Sequence, residues 1–387
     1  MRRLIATLVA AALAGLAACS SMPSLNPLDW WSGPAGPKPA ELPPLTGAQP
    51  VRVLWSASVG TADRFFFSPV LSGDSVYAAA RDGTVARIDA ATGQVRWRSS
   101  AGVRLSAGVG SDGVLVAVAT EEGEVIALDA KDGKPRWKTR ASSEVIAPPV
   151  VAADLVLVRS ADSRIFAFDP ADGKRRWVFQ RAAGPLAVRS PAGVTVHDKL
   201  AYAGFSGGKL VAISLANGAM RWEATVASPK GSTELERVAD IMGVPAAQGR
   251  EVCAAAYQGR VGCYDAQNGT QQWVREFSTL TGVSFDARYA FLSDDRGAVH
   301  ALDRSNGRSV WKQDRLAHRR LSLPLPIESE VAVGDLQGYV HFLSREAGTF
   351  LARFATDGSP VLAAPLKLPS GLLVQTRNGG LYALSLK

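Results

Sequence analysis

The sequence predicts an all-β protein, an eight-bladed β-propeller built of four-stranded antiparallel blades. One phrase, which reads LDAKDGKPRW at residues 128–137, recurs along the chain with a spacing of about 40 residues. Two segments precede each copy, and each alternates apolar and polar positions around a turn, which indicates strands. A period near 40 with four strands in each unit is typical of a propeller, because a single sheet cannot bury both of its faces alone. The aspartate of the phrase, or a serine in its place, stands at eight positions: Asp89, Asp129, Asp169, Ser214, Asp265, Asp303, Ser344 and Ser385.

The chain begins with a segment that we interpret as an export signal. Arg2 and Arg3 precede an apolar run at residues 4–16, which is too short to cross a bilayer and has the order of a secretory signal. We therefore exclude residues 1–18, as a signal peptide, from the folded domain.

The sequence LAAC, which ends at Cys19, resembles the lipobox of bacterial lipoproteins. This resemblance implies that Cys19 becomes the first residue of the mature protein and is acylated. Because Ser20 rather than an aspartate follows it, we expect a lipid-anchored protein of the outer membrane that faces the periplasm. The alternative is a soluble secreted protein in which this cysteine has no such role.

Residues 19–50 predict a tether between the lipid and the folded domain. They hold eight prolines and show no periodic pattern. A proline-rich chain is semi-extended at about 3.1 Å per residue, so this segment spans at most roughly 100 Å. Loss of the signal takes two arginines from the net charge of +8, and the remaining lysines and arginines are scattered over turns. We therefore expect no nucleic-acid partner.

The propeller itself is predicted to occupy residues 51–387. In each D-x-x-x-G turn the aspartate can accept backbone N–H bonds, and the glycine can take the positive φ that reverses the chain. A tryptophan follows at one place in each outer strand, where we expect it to pack blade on blade: Trp97, Trp137, Trp177, Trp222, Trp273 and Trp311. The last copy of the repeat lacks an outer strand, and residues 51–59, with Trp55 in register, should complete it and close the ring.

Catalytic motifs are missing from the sequence. The four histidines, His197, His300, His318 and His341, do not have the spacing of a local zinc site. His300 and His341 occupy equivalent positions of successive repeats, which explains them without a metal. Neither a nucleophile elbow nor a phosphate-binding glycine loop occurs. The sequence therefore favours a non-enzyme with no cofactor, although a site assembled across blades would leave no motif.

Two cysteines, Cys253 and Cys263, flank one hairpin of the predicted domain. A two-residue turn at Gln258-Gly259 would set Cys253 opposite Tyr264 and direct the two sulfurs to opposite faces, whereas an odd-numbered loop would set the cysteines opposite each other. We expect two buried free thiols.

The repeat VIALDAKDGKPRW resembles the PQQ-type repeat of quinoprotein propellers. Together, the lipobox, the proline-rich tether and eight such repeats are similar to the BamB family of lipoproteins, which belong to the outer-membrane β-barrel assembly (BAM) machinery. Residues 232–245 and 331–343 also resemble that family. The first of these stretches lies in the longest spacing of the repeat, 51 residues, as an insertion would.

This resemblance implies a non-catalytic scaffold without quinone that docks on the periplasmic POTRA domains of BamA, contacts other BAM subunits and assists barrel insertion. It also allows contact with unfolded outer-membrane proteins. Partner-facing loops of the family contain a Leu-x-Leu-Arg element, which falls here on Leu186, Val188 and Arg189. They also contain an acidic pair, of which Asp240 matches the first member and Met242 replaces the second.

A different class of function is the alternative: a periplasmic PQQ-dependent quinoprotein dehydrogenase, with quinone and calcium near the propeller axis. Such enzymes resemble this chain in their repeats. They typically add long insertions between blades and a ring of adjacent cysteines, and this sequence has neither.

Overall fold

The computed structural model describes residues 37–182 and 186–386, and the strands in these ranges form eight four-stranded antiparallel sheets. Each sheet is one blade of a ring, so the predicted propeller is confirmed. The first strands of most neighbouring blades contact each other around the axis, and contact between the first strands of the last and first blades closes the circle. The signal peptide, Cys19 and most of the predicted tether lie outside the described residues.

The first four blades follow the chain order without exception, and their strands are as follows. Blade 1 has β2 (Val70–Ser72), β3 (Ser75–Ala79), β4 (Thr84–Asp89) and β5 (Val95–Ser100). Blade 2 has β6 (Ala107–Ser111), β7 (Leu115–Ala119), β8 (Glu124–Asp129) and β9 (Pro135–Arg140). Blade 3 has β10 (Val150–Ala152), β11 (Leu155–Ser160), β12 (Arg164–Phe168) and β13 (Arg175–Gln180). Blade 4 has β14 (Val194–His197), β15 (Leu200–Phe205), β16 (Lys209–Ser214) and β17 (Met220–Thr225).

The other four blades continue this order, except that the last takes its outer strand from the start of the domain. Blade 5 has β18 (Ile241–Gln248), β19 (Glu251–Ala256), β20 (Gly259–Asp265) and β21 (Gln271–Phe277). Blade 6 has β22 (Ser284–Phe285), β23 (Tyr289–Ser293), β24 (Val299–Asp303) and β25 (Ser309–Gln313). Blade 7 has β26 (Leu325–Ile327), β27 (Glu330–Gly334), β28 (Tyr339–Ser344) and β29 (Phe350–Ala355). Blade 8 has β30 (Leu366–Leu368), β31 (Gly371–Gln375), β32 (Gly380–Leu386) and β1 (Val51–Ser58).

The closing strand β1 pairs antiparallel with β32, from Val51 opposite Leu386 to Ser58 opposite Gly380. This pairing covers the edge that β32 would otherwise expose to other chains. The prediction that residues 51–59 complete the final blade is therefore confirmed.

Antiparallel order gives every blade two different ends. The connections from first to second strand and from third to fourth strand lie at one end, which we call the turn face; in blade 3 these are residues 153–154 and 169–174. The connection from second to third strand and the loop to the next blade lie at the other end, the loop face; in blade 3 these are residues 161–163 and 181–193.

The repeated phrase lies on the turn face, and its tryptophan joins one blade to the next at seven of the eight junctions. Asp129 shows the pattern: its carboxylate accepts the N–H of Lys131 at 2.8 Å, and its carbonyl accepts the N–H of Gly133, which has φ +74°. Trp137, on the outer strand of blade 2, then reaches the next copy of the phrase, in blade 3, and donates its indole N–H to the carbonyl of Pro170 at 2.8 Å. Equivalent bonds are made by Trp55, Trp97, Trp177, Trp222, Trp273 and Trp311.

The apolar core is divided among the interfaces between blades. Each of its eight clusters draws residues from two neighbouring blades, as in the contact of Trp137, Val156 and Phe166 between blades 2 and 3. Blade 7 has Ala352 where the other outer strands have tryptophan. The predicted packing of the tryptophans, blade on blade, is confirmed at seven junctions of the described chain.

Part of the predicted tether contacts the propeller. Ala40 donates its N–H to the carbonyl of Ala317 and accepts a bond from Arg319 at 2.8 Å. Farther on, Arg353 donates to the carbonyl of Pro43 at 3.0 Å, and Leu42 packs against the cluster between blades 6 and 7. Residues 40–49 therefore lie along blades 6 and 7 before β1 begins.

The buried ion pair of Arg319 and Asp335 supports the contact between residues 40–49 and the propeller, because Arg319 also bonds the carbonyl of Ala40. Arg319 donates to the carboxylate of Asp335 at 2.7 Å, and His341 bonds the same oxygen at 2.8 Å. Burial lowers the pKa of His341, so its ring is neutral at pH 7 and donates from Nε2 while Nδ1 accepts from Arg353 at 3.3 Å. His300 bonds Asp294 in the same way one repeat earlier, at 2.8 Å.

The expectation of free thiols is wrong, because Cys253 and Cys263 form a disulfide. They stand directly opposite each other in the β19–β20 ladder. The last residues paired before the turn are Ala255 and Val261, so an odd number of residues, 256–260, separates them. That parity puts the two side chains on one face of the sheet.

Candidate partner-binding site

Two loops stand out on the loop face by their length. The connection from β13 to β14, residues 181–193, and the connection from β17 to β18, residues 226–240, are the longest between blades of the described chain. The first holds Leu186, Val188 and Arg189, and the second ends at Asp240. Loops that exceed what a scaffold requires are common sites of binding.

Asp240 connects these two loops. The residue is only 6% exposed, and its carboxylate accepts the backbone N–H of Val188 at 2.6 Å and, more weakly, that of Gly207 at 3.3 Å. The side chain therefore points into the protein rather than toward solvent, and it fixes the backbone of the residue that precedes Arg189.

Leu186 and Arg189 project from the first loop. Leu186 is 51% exposed, and the side chain of Arg189 is 52% exposed. Arg189 forms an ion pair with Glu144 in the loop before blade 3. Between them, Val188 is half-buried. Arginine is enriched among the residues that contribute most to protein interfaces, and the exposed Leu186 beside it offers apolar surface that a partner could remove from water.

The guanidinium of Arg189 also belongs to a larger basic group on this face. Arg64 and Arg81 each pair with Glu121 at 2.5 Å, and Arg189 lies 3.9 Å from the same carboxylate. All three guanidiniums lie over the ring of Phe65, at 4.5 to 5.6 Å. Burial alone would raise the pKa of Glu121, but the hydrogen bonds from Arg64 and Arg81 lower it, so the carboxylate is ionised at pH 7.

The second loop presents a leucine that the sequence reasoning missed. Residues 233–237 form a single helical turn in which the carboxylate of Glu236 accepts the N–H groups of Ser232 and Thr233, while Thr233 Oγ1 accepts the N–H of Glu236. This reciprocal pair is a capping box, and the T-x-x-E spacing was its signal in the sequence. Leu235 lies at the tip and is 71% exposed.

Met242, which the sequence resemblance sets in place of a second acid, is buried in β18 opposite Ala255. It therefore offers no polar contact to a partner at this point of the face.

Metal and membrane features are sparse in the described part of the chain. One group of possible metal ligands occurs there, Glu251 with Cys253 and Cys263, and both sulfurs are engaged in the disulfide. No helix of the described residues has the length and apolarity needed to cross a bilayer.

The Asp-turn repeats, the tryptophans that dock on the next blade and the ring of eight sheets define a β-propeller of the PQQ-repeat type. A family model described as "Outer membrane protein assembly factor BamB" matches residues 81–313. This chain belongs to the BamB family.

Individual relatives agree with this assignment. The chain is 44% identical over 345 residues to the outer membrane protein assembly factor BamB of Bordetella pertussis, covering 89% of each chain. It is 42% identical to that of Burkholderia pseudomallei, covering 88% of this chain and 90% of the relative.

Among solved structures, BamB from Moraxella catarrhalis matches with a TM-score of 0.79 and 27% identity, over 87% of this chain and all of that one. The quinohemoprotein alcohol dehydrogenase of Comamonas testosteroni matches with a TM-score of 0.66 over 86% of this chain and 76% of that one, but at only 14% identity. That likeness shows a shared fold and gives the dehydrogenase alternative no further support.

Proposed function

We propose that this protein is a non-catalytic scaffold of the BAM complex, which docks through its loop face on the periplasmic POTRA domains of BamA and assists insertion of β-barrel proteins. Relatives of 42 and 44% identity are named as outer membrane protein assembly factors. The observation that carries the docking site is the bond from Val188 to Asp240, which joins two long loops into one surface.

Each residue of that surface has a distinct role in the proposal. Leu186 and Leu235 supply apolar contacts that lose water on docking, and Arg189 supplies a charged anchor. Asp240 acts indirectly, because its buried carboxylate holds the Val188 backbone and so sets the direction of the loop. Val188 itself contributes its N–H to that bond.

We further propose that Cys19 carries the lipid that fixes the protein to the outer membrane, with the propeller in the periplasm. The support is the lipobox-like sequence that ends at Cys19 and the proline-rich stretch after it. Replacing Cys19 with alanine should release the protein from sedimented membranes into the soluble periplasmic fraction. Retention of the variant with the membranes would contradict acylation at this position.

Calorimetric titration with the matching BamA POTRA fragment tests the docking proposal. Arg189→Glu should weaken binding strongly, because the new carboxylate would face Glu144 and Glu121 and remove the anchor. Arg176→Glu is a matched control on the turn face: that side chain is 50% exposed and likewise paired within the chain, with Asp169 at 2.6 Å.

The two variants separate the possible results. The proposal predicts a large loss for the Arg189 variant and near wild-type affinity for the Arg176 variant. Equal losses would place the docking surface elsewhere, and wild-type protein that does not bind at micromolar concentration would contradict the scaffold role itself.

A further inference from the structure

A cavity of about 220 Å³ opens on the loop face between blades 3 and 4. Its walls come from the end of β11, the loop after β13, the end of β15 and the start of β18. Val188 and Asp240 form part of the wall, so the cavity lies directly beside the proposed docking loops. Ser190 and Ser206 add hydroxyl groups to the lining.

Arg159, a partly buried residue near the end of β11, lines this cavity and forms no ion pair within 4.0 Å with the described residues. Its Nη1 atom is fully buried and has no hydrogen-bond partner in the described structure. The guanidinium stacks on the ring of Phe205 at 5.0 Å. Burial lowers the pKa of Arg159 to about 10, an effect that the charge of Asp240 only partly offsets, so the group is still protonated at pH 7.

The two carboxylates that line the cavity, Asp240 and Glu144, are bonded to groups other than Arg159. Asp240 accepts the backbone N–H bonds of Val188 and Gly207, and it makes no ion pair with Arg159 within 4.0 Å in the described chain. Glu144 pairs with Arg189. Arg159 therefore retains unused hydrogen-bond capacity at this cavity.

A buried charged group without a hydrogen-bond partner is unfavourable and needs an explanation, and a ligand that supplies the missing partner is one such explanation. The planar guanidinium has N–H groups in a fork that matches the two oxygens of a carboxylate. The N–H groups of Val188 and Gly207 partly offset the negative charge of Asp240, and this reduces the repulsion between Asp240 and a second carboxylate.

We propose that the cavity receives an acidic side chain, aspartate or glutamate, of the docking partner, and that this carboxylate pairs with Arg159. The inference rests on the proposed docking function and adds the chemistry of one contact within it. Because the cavity opens among the docking loops, a partner that covers Leu186 and Arg189 lies over its mouth and closes the new ion pair off from water.

This arrangement predicts opposite effects on binding and on stability. Arg159→Met keeps an apolar stem against Phe205 but removes the charge, so it should weaken binding of the POTRA fragment at least tenfold. The same change should leave the melting temperature of the free protein unchanged or raised, because an unpaired buried charge disappears. An arginine that served only the fold would lower the melting temperature instead.

The experiment titrates full-length protein variants with the POTRA fragment and records their melting in parallel. Arg159→Lys, which retains a point charge, should bind with intermediate affinity. Arg175→Met, an exposed arginine on the outer strand of the same blade, is the control and should bind like the wild type. Each acidic residue of the partner is then changed singly to asparagine or glutamine. One of these changes should weaken binding to the wild type but cause no further loss of affinity for the Arg159→Met variant.

The outcomes distinguish this inference from the docking proposal. Wild-type binding that Arg159→Met leaves unchanged would overturn the inference alone, as would additive losses for every acidic residue of the partner. Wild-type protein that fails to bind would overturn the docking proposal and this inference with it. A lowered melting temperature in the Arg159→Met variant, with binding intact, would assign the arginine to the fold.

Discussion

Replacing Asp240 with alanine should release the first docking loop from the second. The bond that is lost joins Val188 N–H to a buried carboxylate at 2.6 Å, and a second, weaker bond from Gly207 is lost with it. A hydrogen bond to a charged group contributes about 1.5–3 kcal/mol. If docking has to restore the loop order that these bonds provide, at a cost of about 2 kcal/mol, the dissociation constant rises about 30-fold.

Calorimetric titration with the POTRA fragment measures this loss, and Asp240→Asn is its control. The amide oxygen of asparagine can still accept the Val188 N–H, so this variant should lose less than tenfold in affinity. Neither loop contributes a strand to a blade, so the melting temperature should change by no more than about 4 °C. If the asparagine and alanine variants lost affinity equally, the partner would be reading the charge of Asp240 directly, and the positioning argument would be refuted.

Three further changes test the surface, the disulfide and the junctions between blades. Leu235→Ser should weaken docking about tenfold without altering the melting temperature, because the side chain is exposed in the free protein; titration and a thermal scan check both halves, and unchanged affinity would remove Leu235 from the interface. Replacing Cys253 and Cys263 together with alanine should lower the free energy of unfolding by about 2–3 kcal/mol, as expected for a bridge spanning 10 residues; a urea midpoint equal to the wild type would contradict this. Gly173→Ala should lower the free energy of unfolding by about 2–4 kcal/mol for two reasons. The new Cβ would lie 2.6 Å from the ring of Trp137, and the backbone φ of +72° is unfavourable for alanine. Gly102→Ala, with φ +75° and open space around it, isolates the backbone effect and should lose only about 1 kcal/mol in the same urea titration; equal losses would show that the tryptophan contact is not tight.

The blades could be predicted from the sequence because their rules are local. The aspartate, glycine and tryptophan of each phrase act within a few residues of one another, and the tryptophan then meets the next copy of the same phrase, as Trp137 meets Pro170. Closure by β1 was visible for the same reason, because the last repeat lacked its outer strand.

The details that the sequence did not show depend on contacts between distant residues. Asp240 turns inward because the Val188 N–H, 52 residues earlier, is within reach of its carboxylate. The disulfide depends on the parity of a hairpin loop, which alternation alone does not reveal. Arg159 is a single arginine in a strand, and only its packing on Phe205 and its place in the wall of the cavity make it distinctive.

Hydrogen exchange of the protein with and without the POTRA fragment is the most direct test of docking through the loop face. Docking there predicts slower amide exchange in peptides that cover residues 186–193 and 229–240. Exchange in the turns at 129–134 and 169–174, on the turn face, should not change. Protection confined to those turns, with the two long loops exchanging as fast as in the free protein, would contradict the account.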